Sequence, residues 1–302
     1  MQRLIIVIFS SLFWFAGVPA WADAGAVQNR GALFKAEQGG HVVWLFGTIH
    51  VGAPDFYPLE PRMMQALDEA SVLALEVDPL GDKGALVQAV RQHGMYQNGR
   101  GPAFSELPKA YQPRLERQLQ RFAISREAVM PMKPWMIASL LAVSEFAAQG
   151  YQPELAVDAW LSREARARKV RVVELESAAG QMALFGAMPN KEQLLFLQDS
   201  IDAIDNKEQA EEARALGEAW RKADIAAFDG VAAKLDADTS FSARFVKRVL
   251  LAGRNPALAD NIAKQLANEK RSIAAIGVLH LVGKESVPEL LRRKGIAVER
   301  VY

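Results

Sequence analysis

The sequence predicts an α/β fold, with a largely parallel or mixed central sheet, flanking helices and a helical cap built from insertions. Three observations carry this. Short apolar runs that end in Gly or Glu recur along the chain, as buried strands do. Stretches of helical periodicity separate them, which is the pattern of strands joined by crossover helices. Residues 82–155 and 185–265 hold more helix than a sheet needs on its faces.

The chain has 302 residues, of which half are apolar and 24% charged, enough apolar matter to pay for a folded core. It opens on Met1-Gln2-Arg3, a short positive stretch, followed by an apolar run over 4–15 and by Ala20-Trp21-Ala22, which fits the A-x-A cleavage pattern. The run is shorter than the ~20 residues of a membrane span. A cleaved signal peptide over 1–22 is therefore expected, with residues 23–302 exported to the periplasm as a single domain that keeps no membrane anchor.

The first strand is expected at Val42-Val43-Trp44-Leu45-Phe46, ending at Gly47. Pro61 suits a helix start, and Met63, Met64, Leu67 and Ala70 give that helix an apolar face. Val72-Leu73-Ala74-Leu75 is a second strand closing at Glu76, residues 170–175 a third closing at Glu176, and residues 272–276 a fourth closing at Gly277. Gly295 punctuates the start of a fifth over 296–301. Helices are expected over 135–148 (ended by Gly150), 156–168, 191–235 with one or two breaks, and 256–267 with Pro256 in its first turn.

Composition excludes several functions. Lys plus Arg number 36 and Asp plus Glu 35, and loss of 1–22 removes Arg3 and no acid, so the remaining 302 − 22 = 280 residues carry 35 − 35 = 0 formal charge. Nucleic-acid binding, which calls for a basic excess, is not expected. No cysteine is present, so disulfides, thiolate metal sites, cysteine catalysis and a lipid anchor on cysteine are excluded. The G-x-S-x-G elbow, H-E-x-x-H, the Walker loop and G-x-G-x-x-G are absent.

The chain has four histidines, and two share one local pattern. Gly47-Thr48-Ile49-His50-Val51-Gly52 and Gly277-Val278-Leu279-His280-Leu281-Val282-Gly283 each run from a strand through Gly-x-x-His to a further Gly, 230 residues apart. Nothing else around them repeats, so the echo reads as two strand ends that meet in space. Loops beyond the carboxyl ends of strands are where open α/β sheets bind ligands, and imidazole is both a common metal ligand and a group that titrates near neutral pH. The plain structural alternative is a histidine that ties its loop to a carbonyl. His41 and His93 lack the pattern and are assigned to that alternative.

Glu76 ends a buried strand on the same edge if the sheet is parallel, as a metal ligand, a general base or a solvated acid, with Asp78 as competitor. Of Glu174 and Glu176, strand alternation sends one into the crevice. Asp158 lies in a helical stretch, where an acid near the N-terminus is also favoured by the helix dipole. Arg254-Asn255 before Pro256 suits an anion or oxyanion at a helix start, or a capping Asn.

These residues resemble the TraB/PrgY/GumN family, which includes the TIKI metalloproteases. The resemblance runs from Gly47–Gly52 through Tyr57-Pro58-Leu59 and residues 73–78, then Lys133-Pro134-Trp135, Asp158, Leu175-Glu176-Ser177 with Gln181, Arg254-Asn255 and the closing 277–283 motif. It spans roughly residues 32–302 and is most specific at the two ends. It implies an α/β core related to erythromycin-esterase and ChaN-like proteins. In the protease branch it implies peptide cleavage by a divalent ion, here Mn²⁺, Co²⁺ or Zn²⁺, held by His50, Glu76 and His280. Catalytic roles are then expected for Glu76, for Glu176 or Asp158 as base or further ligand, for Arg254 at an oxyanion and for Asn255. The expected partner is a peptide or small-molecule substrate. Two rival readings stand beside this one: a non-catalytic periplasmic protein that binds a ligand or haem, and a metal-free esterase-like hydrolase with histidine as general base.

Overall fold

The computed structural model describes residues 28–302, so the expected signal peptide over 1–22 lies outside the described residues. Six strands form one mixed sheet in the order β4-β3-β5-β2-β1-β6: β1 Leu33–Gln38, β2 His41–Thr48, β3 Val72–Leu75, β4 Arg171–Glu174, β5 Arg271–Gly277 and β6 Ala297–Arg300. The pairs β4-β3, β3-β5 and β5-β2 are parallel; β1 is antiparallel to both β2 and β6. This is the mixed α/β architecture expected from the alternating pattern. β3 and the interior of β5 are fully buried, because in a parallel sheet helices cover both faces. That is why those strands read as unbroken apolar runs rather than as alternation.

β1 was not anticipated. Leu33–Gln38 carries Lys35, Glu37 and Gln38 and has no continuous apolar run. Its signal is the Gly39-Gly40 pair before His41, where both glycines take positive φ (59° and 79°), the geometry of a two-residue hairpin turn. The hairpin puts an antiparallel strand beside β2 and leaves β5 to fill β2's other edge.

Helices Pro61–Glu69, Val157–Ala167, Asn255–Asn268 and Val287–Arg293 pack on the sheet or its neighbours. The expected helix over 191–235 is three helices, Asn190–Asp205, Glu208–Arg221 and Ile225–Ala237, with breaks where Lys207 and Ala223 take positive φ. A second apolar core sits among the inserted helices, away from the sheet. There Trp135 stacks on Phe185 at 4.8 Å between ring centres, and Phe245 lies 5.2 Å from Phe185. Val231 and Leu251 pack against both cores and join them.

Candidate functional site

The strand order fixes the site. β3, β5 and β2 are adjacent and parallel, with Leu75 opposite Ala275 and Thr48 opposite Gly277. Their carboxyl ends therefore share one edge, and Glu76, His280 and His50 follow directly from them. The two Gly-x-x-His motifs are neighbouring strand ends, as the echo in the sequence suggested. Gly47 is required by this closeness: a Cβ there would stand 2.9 Å from a methyl of Val278, the first residue past the end of β5. Gly277 serves differently. Its N–H donates to Glu76 Oε1 at 2.5 Å, and a Cβ would stand 3.2 Å from that oxygen.

One turn of 3₁₀ helix, Val278–His280, swings the His280 ring back under the strand end, where it is buried. Its Nδ1 faces Asn255 Oδ1 at 2.5 Å. The Asn255 amide is itself oriented, because its Nδ2 donates to the Glu285 carbonyl at 2.7 Å. Oδ1 must then accept, so His280 carries its proton on Nδ1 and presents a bare Nε2, 3.8 Å from Glu76 Oε1. Burial, with the positive fields of Arg254 and His50, outweighs Glu76 and lowers the imidazole to about 3, so the ring is neutral.

His50 has the complementary arrangement. Its Nδ1 lies 2.9 Å from Asp158 Oδ2. Backbone bonds tie the two together: Gly52 and Gln152 exchange N–H···O bonds at 2.9 and 2.7 Å, and Val157 N–H donates to the Ile49 carbonyl at 3.1 Å. Burial opposes charge on His50, but Asp158 and then Glu76 more than offset it, so its affinity for a proton is raised.

Two carboxylates lie side by side because the β3-β4 ladder continues past the strands, with Leu175 and Glu176 N–H donating to the Leu75 and Glu76 carbonyls. Arg254, 5% exposed, is clamped between them. Its Nη2 donates to both Glu76 Oε2 and Glu176 Oε2, its Nε lies 3.1 Å from each Glu176 oxygen, and its Nη1 reaches the Leu250 carbonyl. Gln181 Nε2 spans the same two acids, at 3.1 Å from Glu76 and 2.8 Å from Glu176. Although burial works against the charge, Arg254 and the two imidazoles hold the Glu76 carboxyl far below the usual carboxylate range. The same two carboxylates overcome the burial of the Arg254 guanidinium and raise it.

The anticipated site residues thus lie at one sheet edge in two sets: Glu76, Glu176, Arg254, Asn255 and His280 linked by contacts, and His50 bonded to Asp158, with His50 coupled to Glu76 and His280 through charge. Of the competitors, Asp78 turns away to Ser162 (2.6 Å) and Arg166, and Glu174 caps the Asp78 N–H at 2.9 Å. Gln181 was noted in the sequence without a role; its position five residues after Glu176, one turn into the helix Ala178–Gly186, is the only local sign of one. His41 Nδ1 bonds the Leu266 carbonyl, and the His93 carbonyl accepts from Trp135, so neither belongs to these sets.

A divalent ion suits the two imidazoles. In each, Nδ1 is engaged by an oxygen acceptor, the arrangement that usually orients a ligating histidine and leaves Nε2 for the metal. The carboxylate is less ready: Arg254 and Gln181 hold Glu76 Oε2, and among the described residues no three His, Cys, Asp or Glu side chains converge closely enough to hold an ion as placed.

A family model for the TraB/PrgY/gumN family matches residues 32–300, and the chain belongs to that family. The uncharacterized protein YbaP of Escherichia coli (strain K12) is 27% identical over 287 residues, covering 86% of this chain and 97% of its own. YbaP of Shigella flexneri matches to the same extent. No solved structure gives a significant match.

Proposed function

We propose that this member of the TraB/PrgY/gumN family is a periplasmic metal-dependent hydrolase, with peptides as its substrate class. The observation that carries the reading is the pairing of His50 with Asp158 and of His280 with Asn255, each through Nδ1, at adjacent strand ends. His50 and His280 would hold the ion through Nε2, and Glu76 would join them through Oε1, the oxygen not taken by Arg254. When bound, such an ion polarises a carbonyl and lowers the pKa of a water toward ~7.

The chain's own groups do the rest. Asn255 keeps the proton of His280 on Nδ1, and Asp158 fixes the ring of His50. Arg254 keeps Glu76 ionised and also bonds the carboxylate of Glu176 beside it. Glu176 is the more exposed of the two, and among the described residues its carboxylate bonds Arg254 and Gln181 alone, which makes it the acid best placed to accept a proton from water. Among the described residues no helix is long and apolar enough to cross a membrane, which suits an exported protein free of the bilayer once its signal is removed.

One observation favours a second, metal-free reading. His50, whose proton affinity is raised, bonded to Asp158 has the form of a general base held by a carboxylate. One experiment separates the two. Protein purified without chelator is analysed for metal, titrated calorimetrically with Mn²⁺, Co²⁺ and Zn²⁺, and assayed on a peptide library before and after chelation. The metal reading expects binding that His50→Ala and His280→Ala each abolish, and turnover that chelation stops. Unchanged metal affinity in both variants overturns it, and turnover that resists chelation moves the assignment to His50 as base.

A further inference from the structure

Two cavities outside the histidine cluster meet along the loop that follows His280. The inner one, about 450 Å³, is walled by Val231, Leu235, Leu251, Leu279 and Val282 and reaches Asn255. The outer one, about 830 Å³, is lined by Lys284, Arg292, Arg293 and Arg300 against Asp229 and Glu289. Asp229, Val282, Gly283 and Lys284 line both, so the two are continuous around this loop.

Their chemistry differs. Arg292 pairs with Glu289. Arg293 donates only to the Lys284 carbonyl, and neither Lys284, Arg293 nor Arg300 has an ion-pair partner among the described residues. In the outer cavity three cations without an ion-pair partner thus stand against Asp229, Glu289 being taken by Arg292, and Glu285 lines the inner cavity beside Lys284. The inner cavity has Val, Leu and Ala side chains over most of its wall; of its charged lining, Lys247 and Asp236 pair with each other at 2.6 Å, and Asp229, Lys284 and Glu285 stand where it meets the loop after His280. Its volume lies within the range of small-molecule sites.

We propose that this pair of cavities binds an anionic amphiphile, with a carboxylate-like head on Lys284, Arg293 and Arg300 and a single apolar chain in the inner cavity. The cations select the head, and the aliphatic walls take the chain out of water. The bound chain would end beside Asn255, whose amide joins the Glu285 carbonyl to His280 Nδ1. Occupancy would then be felt one side chain away from the histidine cluster. The binding itself does not depend on the hydrolase reading.

The test is calorimetric titration of the purified protein with decanoate, with decanol and sodium sulfate as the separate chain and ion. Decanoate is expected to bind one per chain, at least roughly tenfold tighter than either, and to weaken as NaCl is added. The double variant Lys284→Ala/Arg300→Ala is expected to weaken it by roughly tenfold or more. Ala232→Trp, which fills the inner cavity from the half-buried position Ala232 on its wall, is expected to do the same. Ala233→Trp replaces it if the first variant melts early. His50→Ala should bind decanoate as the parent does, which separates this site from the metal question. No saturable binding, equal affinity for decanol and decanoate, or unchanged affinity in both the charge variant and the cavity variant overturns the proposal.

Discussion

Arg254 is the residue on which the site's electrostatics turn. It is 5% exposed and is the guanidinium shared by Glu76 and Glu176. Arg254→Ala leaves two neighbouring carboxylates in a buried space, and breaking such a pair costs about 3–5 kcal/mol. Urea denaturation at pH 7 should show a loss of that size; a loss below ~1 kcal/mol would mean that water replaces the guanidinium freely. Asn255 makes a subtler prediction. Asn255→Ala removes the acceptor on His280 Nδ1, and loss of such a partner typically lowers metal affinity or activity by ~10–100-fold. Asn255→Asp, which keeps an acceptor oxygen, should retain more of both than Asn255→Ala; equal losses in the two variants would remove the tautomer argument. The histidines and Glu76 were legible from local pattern, because each closes an apolar run. The partners were not. Asn255, next to a proline at a helix start, reads equally as a cap, and only the tertiary approach of segments 25 residues apart reveals its bond to His280.

At the scale of elements, the loop after β2 and the segment before Val157–Ala167 act as one piece, since the Gly52–Gln152 bonds hold His50 to Asp158. Gly52 allows this contact, because a Cβ there would stand 1.9 Å from the Leu155 carbonyl oxygen. Gly52→Ala should cost about 1–3 kcal/mol, as overpacking does, and should impair any activity that needs His50 and Asp158 together. Gly230 supplies the contrast. It lies within the helix Ile225–Ala237, and an added Cβ would meet nothing within 4 Å. Gly230→Ala should gain about 0.4–1 kcal/mol. Thermal melts of the two variants, run together, check both signs. The parallel strands were legible because burial on both faces makes them uniformly apolar. β1 was not, since a strand near the sheet edge carries its charges outward and leaves only Gly39-Gly40 as punctuation.

Across the whole molecule, the segment after β6 is latched to the first crossover: the Tyr302 hydroxyl donates to Glu60, 242 residues away. Glu60 is buried, and its Oε2 has no hydrogen-bond partner among the described residues. Burial, only partly offset by Tyr302 and backbone N–H groups, raises its carboxyl above the ordinary value of 4.5. A raised carboxyl favours the fold below pH 4.5, and that contribution is lost as pH climbs through the raised value. Glu60→Gln should therefore raise the urea midpoint at pH 7–8 more than at pH 4; an equal gain at both would show that the acid's charge is irrelevant. The strand pairing at the centre has a further consequence, in time. Thr48 pairs with Gly277, which lies 277 − 48 = 229 residues later. A chain synthesised at ~5–20 residues per second needs roughly 11–46 s between those two points. For that interval β2 has no β5 beside it, and His50 and Glu76 have neither His280 nor Arg254. The nascent chain must be kept from pairing its open strand edge with others, and whatever chemistry the site performs stays off until β5 and His280 have been made.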